Sequence, residues 1–168
     1  MTTGTGEKIA ALKRRMHFLE ECDENVKALE ILAQLVDMGC RDREILWAGA
    51  KNYFAVGDLE RAAKWSDMVL KFSPDHVGAR LILAKLCLIN KRVWEGLAVY
   101  DFIAENLYDK MTAAEREEMQ DVLMKCAEMD KYTVAFYPNA VDFLVREYNR
   151  TELLSVVKWL DENRQRRK

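Results

Sequence analysis

Small or apolar residues recur along this chain at i, i+3, i+4 and i+7 with few interruptions, as at Leu46, Gly49, Ala50 and Tyr53. That spacing draws one stripe along a helix of 3.6 residues per turn. The period-two alternation of a half-buried strand is missing and Pro occurs only twice, so the pattern predicts an all-α chain. Turn chemistry divides it into nine helices, over residues 7–21, 24–37, 42–55, 58–72, 75–89, 92–106, 112–129, 139–148 and 151–165. Gly57 suits the left-handed residue that closes one helix, and the Asp58 carboxylate suits the orphan amides that open the next. Pro74 cannot continue a helix, and Asp75 is placed to cap the one that follows. Gly39 and Asp42, then Asn90 and Lys91, punctuate two further turns. Thr112 and Glu115 have the spacing of a capping box. The segment DKYTVAFYP after Met129 reads as a loop or an extra helical turn.

The stripe also repeats. At an offset of 34, Ala28, Ala62 and Gly96 fall in register; so do Leu35, Val69 and Ile103, and Leu12, Leu46 and Arg80 with one lapse. Small residues match small ones for a steric reason. Two helices of a hairpin approach to roughly 8–10 Å only where the side chains at their crossing are short. Equal chain intervals between equivalent contacts are what a stacked array requires.

Helix-turn-helix units of this period, with the pattern W-x2-L-G-x2-Y…A-x3-F…P, mark the tetratricopeptide repeat, and about two thirds of the chain resembles that family. Residues 43–76 match best, with Leu46, Gly49, Ala50, Tyr53, Ala62, Ser66 and Pro74; Leu46 stands for the Trp and Ser66 for the second aromatic. Residues 77–110 keep Leu83, Ala84, Gly96 and Tyr100 but lack the Pro, and residues 9–42 are a weaker unit with Met16, Leu19, Ala28 and Leu32. Past residue 110 the offset would place Glu118 and Asp130 where small residues belong. A divergent hairpin over 111–150 and a capping helix over 151–165 fit the rest, with 1–6 and 166–168 as flexible ends. The resemblance implies a single domain, a right-handed α-solenoid of antiparallel helix hairpins. It also implies a concave groove that binds an extended peptide or partner helix.

Carried to matching positions, the groove lining is Lys13, His17 and Glu20, then Trp47, Lys51 and Phe54, then Leu81, Lys85 and Leu88. His17, Lys51 and Lys85 are 34 apart, so stacking is expected to align them as a cationic ladder flanked by Trp47, Phe54, Leu81 and Leu88. Such a wall suits a segment with acidic and bulky apolar residues. Unchanged binding by a folded Lys51→Glu/Lys85→Glu variant removes the ladder from this account. The bland alternative is that the lysines are solvated and the aromatics pack on neighbouring helices. Trp65, Trp94, Trp159, Tyr132, Phe136 and Tyr137 are expected mostly in hairpin seams, with 132–137 as a second contact patch.

Charge changes little. Residues of both signs are interspersed and the net charge is −2, which supplies no field to draw in nucleic acid or an anionic membrane. From Arg146 to Lys168 there are seven Lys/Arg against four Asp/Glu. The tail Arg164, Arg166, Arg167 and Lys168 is a basic handle or simply a favourable charge at a helix C-terminus. No stretch reaches the about 20 apolar residues of a membrane span, and the first residues carry no apolar signal-peptide core, so a cytoplasmic protein is expected. Cys22 and Cys40 bracket a helix that holds them roughly 25 Å apart; free thiols are expected. Two His residues without CxxC, HxxxH or HExxH give no metal site, and neither a Ser/His/Asp order nor a phosphate loop appears. No cofactor and no enzyme are therefore expected. The expected function is a non-catalytic adaptor or scaffold. A secretion-type chaperone that shields an extended segment of an exported client is the alternative, and an RNA-binding helical repeat is a third reading that the acidity before residue 146 disfavours.

Overall fold

Ten α-helices and one 3-10 turn form the computed structural model, which describes the backbone of residues 2–166 and the side chains of residues 4–164. The helices are α1 (Thr2–Glu21), α2 (Asn25–Asp37), α3 (Arg43–Ala55), α4 (Leu59–Phe72), α5 (Val77–Ile89), α6 (Val93–Asn106), α7 (Ala113–Met129), α8 (Lys131–Ala135), α9 (Pro138–Tyr148) and α10 (Glu152–Arg166). The 3-10 turn is Tyr108–Lys110, and no strand occurs among the described residues. Nine helices match the nine expected from the sequence to within a few residues. The largest boundary difference is at α1, which starts at Thr2 rather than at residue 7. Thr2 to Gly6 carry no apolar residue, so the pattern has nothing there to read. The tenth, α8, is the extra turn in DKYTVAFYP. Asp130 opens it by accepting from the amides of Tyr132 and Thr133.

Local chemistry explains most helix ends. Asp42 accepts from the Ile45 amide, Asp58 accepts from the Arg61 amide, and Thr112 and Glu115 close the expected capping box. The His76 Nδ1 accepts from the Ala79 amide at 3.0 Å, because the chain stays irregular through Pro74 and Asp75 and enters the helix one residue later.

Four turns share one backbone geometry: the Gly39 turn (φ 86°, with the Cys40 amide on the Leu35 carbonyl at 3.0 Å) and three that fall in register. Asp23, Gly57 and Lys91 have φ of 57°, 83° and 62°, and each follows its predecessor by 34 residues (57 − 23 and 91 − 57). The next amide in each case reaches back to the carbonyl five residues earlier: Glu24 to Leu19 at 2.8 Å, Asp58 to Tyr53 at 2.9 Å and Arg92 to Cys87 at 2.8 Å. These are Schellman closures, in which a left-handed residue lets two amides satisfy the last orphan carbonyls of a helix. Ala28, Ala62 and Gly96 follow the left-handed residue by five positions in all three turns and are buried. Leu35, Val69 and Ile103 are likewise buried in α2, α4 and α6. The 34-residue register is therefore present in main-chain geometry as well as in residue type.

The chain divides into two compact units, Met1–Ile82 and Leu83–Lys168, the boundary falling within α5. In the first, α1 packs on α2, α2 on α3 and α3 on α4. Met16, Ala28, Leu32, Leu35, Ile45 and Ala48 form its core, and Leu46, Val69 and Ala79 form a second cluster around Trp47 and Trp65. Gly49 lies against the Trp65 ring, which places Trp65 in a hairpin seam as expected. In the second unit α9 packs against α6, α7, α8 and α10, while α10 covers α8 and α9. Tyr100, Ile103, Leu123, Phe143 and Leu144 are among its largest fully buried residues.

Candidate functional site

Lys13, His17 and Glu20 lie three and four residues apart and so share one face of α1, which meets α3. Lys13 Nζ lies 2.7 Å from Asp42 Oδ2 and 3.3 Å from Glu44 Oε2. His17 Nε2 contacts Glu44, and its Nδ1 is 3.5 Å from Glu20. Lys51 Nζ is 2.9 Å from Glu20 Oε2 and stands 5.5 Å over the Trp47 ring. Two lysines and His17 thus face three carboxylates. The His17 hydrogen bond, then Lys13, holds the Glu44 carboxyl below its usual range. Burial pushes Asp42 up, but hydrogen bonds from Lys13 and the Ile45 amide outweigh it and hold it low. The Asp42 hydrogen bond raises Lys13.

The remaining expected groove residues divide. Trp47 rests on Gly78 and on the His76 ring, 4.6 Å between centroids, and Phe54 is half-buried. Leu81 is 2% exposed and offers no surface. Lys85 belongs to the second unit, where it pairs with Glu118 of α7. Asn52 is buried; it donates to the Ala48 carbonyl and accepts from Asn25, pinning α2 to α3. Leu88 opens onto a cavity.

That cavity, about 430 Å3, is walled by Leu88, by Val93, Trp94 and Leu97 of α6, by Val122, Cys126 and Met129 of α7, and by Val134 of α8, with Lys125, Asp130 and Thr133 also on it. Met129 is 88% exposed and Trp94 53% exposed, so two large apolar side chains stand in solvent beside an apolar hollow. Trp94 is held in place: its ring packs against Phe136 and Tyr137, with centroids 5.6 and 5.9 Å away, and Tyr137 Oη donates to its carbonyl. Burial pushes the Cys126 thiol up, which leaves it a neutral lining group. Trp94 and Trp159 were expected in seams, yet both are about half-exposed. At the surface Tyr132 of α8 packs on Trp159, and Phe136, which follows α8, packs on Trp94, as lateral partners.

The sequence missed Lys125 and Met129, because the walls come from four helices and the 34-residue register stops before α7. An apolar Met at an exposed helix position is the signal that was there to find. Among the described residues no cluster of His, Cys, Asp or Glu suits a metal ion, and no helix is long and apolar enough to cross a membrane. All four cysteines are free thiols. Arg167 and Lys168 of the basic tail lie outside the described residues. Comparisons with protein-family models, with curated proteins and with solved structures find no match to this chain.

Proposed function

We propose that this chain is a non-catalytic module that binds a segment of another protein, with the cavity beside Trp94 and Met129 as the principal contact. The observation that carries this reading is the pair of solvent-exposed apolar side chains at the edge of an apolar hollow. Exposed aromatic and Met area of this kind loses free energy in water and regains it when covered. Trp is also enriched among residues that dominate binding energy, and Met adapts its shape to what it meets. The repeated turn geometry supports reading residues 9–110 as tetratricopeptide-like hairpins, a right-handed stack being the corresponding expectation. The α1–α3 face contributes less, because its cations are already matched by Glu20, Asp42 and Glu44. Free thiols support a reducing compartment such as the cytoplasm.

A photo-crosslinking amino acid placed at position 129 tests the reading in the source cell. Expected is one dominant protein adduct that falls at least several-fold when Trp94→Ala is added, while a probe at exposed Lys64 gives none. An adduct indifferent to Trp94 rejects the cavity as the contact.

A further inference from the structure

The electrostatics of the cavity narrow the chemistry of its occupant. Two charged residues reach its wall, Lys125 and Asp130. Asp130 is engaged: its Oδ1 accepts from the amides of Tyr132 and Thr133, and its Oδ2 accepts from the Thr133 hydroxyl at 2.7 Å. Those donors hold the carboxyl below its usual range, the Thr133 hydroxyl most. Lys125 is not engaged. Asp121 and Glu128 lie four residues before and three after it on α7, yet no ion pair or hydrogen bond to its ammonium occurs among the described residues. The turn between Leu88 and Val93 repeats the asymmetry, since Arg92 is bound to Glu95 at 2.9 Å while exposed Lys91 has no carboxylate partner among the described residues.

The rest of the wall is apolar, with the neutral Cys126 thiol among it. Its volume lies within the about 300–1,000 Å3 of pockets that enclose a small ligand or an anchoring group. A lone ammonium beside such a hollow gains most from an anion brought up by the same chain that fills the hollow. A basic or neutral segment would bury Lys125 without that gain.

Resting on the binding reading above, we propose that the cavity recognises an acidic amphipathic segment of a partner protein. A bulky apolar side chain enters between Trp94 and Met129, and a carboxylate within about one helical turn of it pairs with Lys125.

A phage-displayed random 12-residue peptide library, panned on the full chain and on Lys125→Glu, Trp94→Ala and Met129→Glu, tests this. Met129 is almost fully exposed, so Met129→Glu tests the cavity edge even where Trp94→Ala disturbs the Phe136 packing. Expected is enrichment of peptides with a large apolar residue and an Asp or Glu within four positions. Enrichment should be lost on Met129→Glu. Changing that acid to its amide should weaken binding roughly tenfold, the size of one charge-assisted hydrogen bond, and should weaken it less than twofold on Lys125→Glu. Peptides that require Met129 but show no acid dependence overturn this inference and leave the binding reading standing. No enrichment, or enrichment indifferent to both Trp94 and Met129, overturns both. Sedimentation that finds a wild-type dimer dissolved by Met129→Glu, with no peptide enriched, assigns the cavity to a second copy of the chain and overturns the proposal.

Discussion

Asp101 of α6 caps α9 through Asn139, 38 residues further along the chain. One carboxylate oxygen accepts from the amides of Asn139 and Ala140 at 2.8 and 2.9 Å, and the other accepts from the Asn139 side chain at 3.1 Å. The helix has no cap of its own, because Tyr137 at its N-cap position bonds elsewhere and Pro138 has no amide hydrogen. The bonds fasten α9, whose Phe143 and Leu144 fill the core of the second unit.

Replacing Asp101 with Ala therefore removes a cap and a tertiary tie together. Expected is a loss of about 1–3 kcal/mol in urea unfolding. Asp101→Asn keeps an acceptor and should recover about half. Equal losses for Ala and Asn would show that the charge rather than the acceptor matters.

Three glycines predict a graded series. A Cβ at Gly49 would overlap the rigid Trp65 ring, and one at Gly78 would come within 2.5 Å of Trp47. At Gly96 it would meet the flexible end of Leu88 at 3.0 Å. Gly49→Ala and Gly78→Ala should each cost about 1–3 kcal/mol through overpacking, while Gly96→Ala should cost less than either. Thermal melts of the three variants test the order, and a Gly96 variant worse than Gly49 would contradict it.

The Gly96 seam was legible in the sequence, since the short residues Ala28, Ala62 and Gly96 stand 34 apart and mark where helices cross, and Gly49 was legible as a small residue of the best repeat, whereas Gly78 was not. The Gly57 turn and the Thr112–Glu115 box were also legible, because their chemistry is local. What the sequence withheld depends on side chains meeting across the fold. Lys51 and Glu20 pair 31 residues apart, and Lys85 and Glu118 pair 33 apart; neither separation matches the repeat, so register alone does not show that each lysine meets a carboxylate. His76 accepts from the Ala79 amide at the start of α5, a role the sequence did not suggest because cap preferences rank imidazole low. The cavity escaped for a further reason: α7 and α8 lie beyond the register, and only packing brings Met129 beside Trp94.

Backbone strain gives the next prediction. Asp23 and Lys91 hold left-handed φ where Gly57 holds it freely, and an L side chain there costs about 1 kcal/mol. Asp23→Gly and Lys91→Gly should each raise stability by up to about 1 kcal/mol, and Gly57→Ala should lower it by about as much. Urea midpoints of the single variants measure this; a destabilised Lys91→Gly would mean that its side chain has a role the turn does not show.

The α1–α3 network predicts a pH dependence of definite sign. Asp42 and Glu44 have folded values below their unfolded ones. Their stabilisation is present above the unfolded values and is lost as pH falls through the folded ones, below about pH 4. Lys13 is raised, so its share is present below its unfolded value and is lost as pH rises through the folded one, above about pH 10. Asp42 and Glu44 are 52% and 43% exposed, which limits the whole network to within about 1 kcal/mol. Asp58, Asp130 and Glu152 are also held low, so an acid limb persists in every variant and the readout is the difference from wild type. Glu44→Gln should flatten the acid limb and only part of the alkaline one, where Asp42 still raises Lys13, whereas Lys13→Met should flatten both limbs. If Lys13→Met leaves the acid limb unchanged, Lys13 does not hold the carboxylates down, and the matched charges on this face are a coincidence of surface packing.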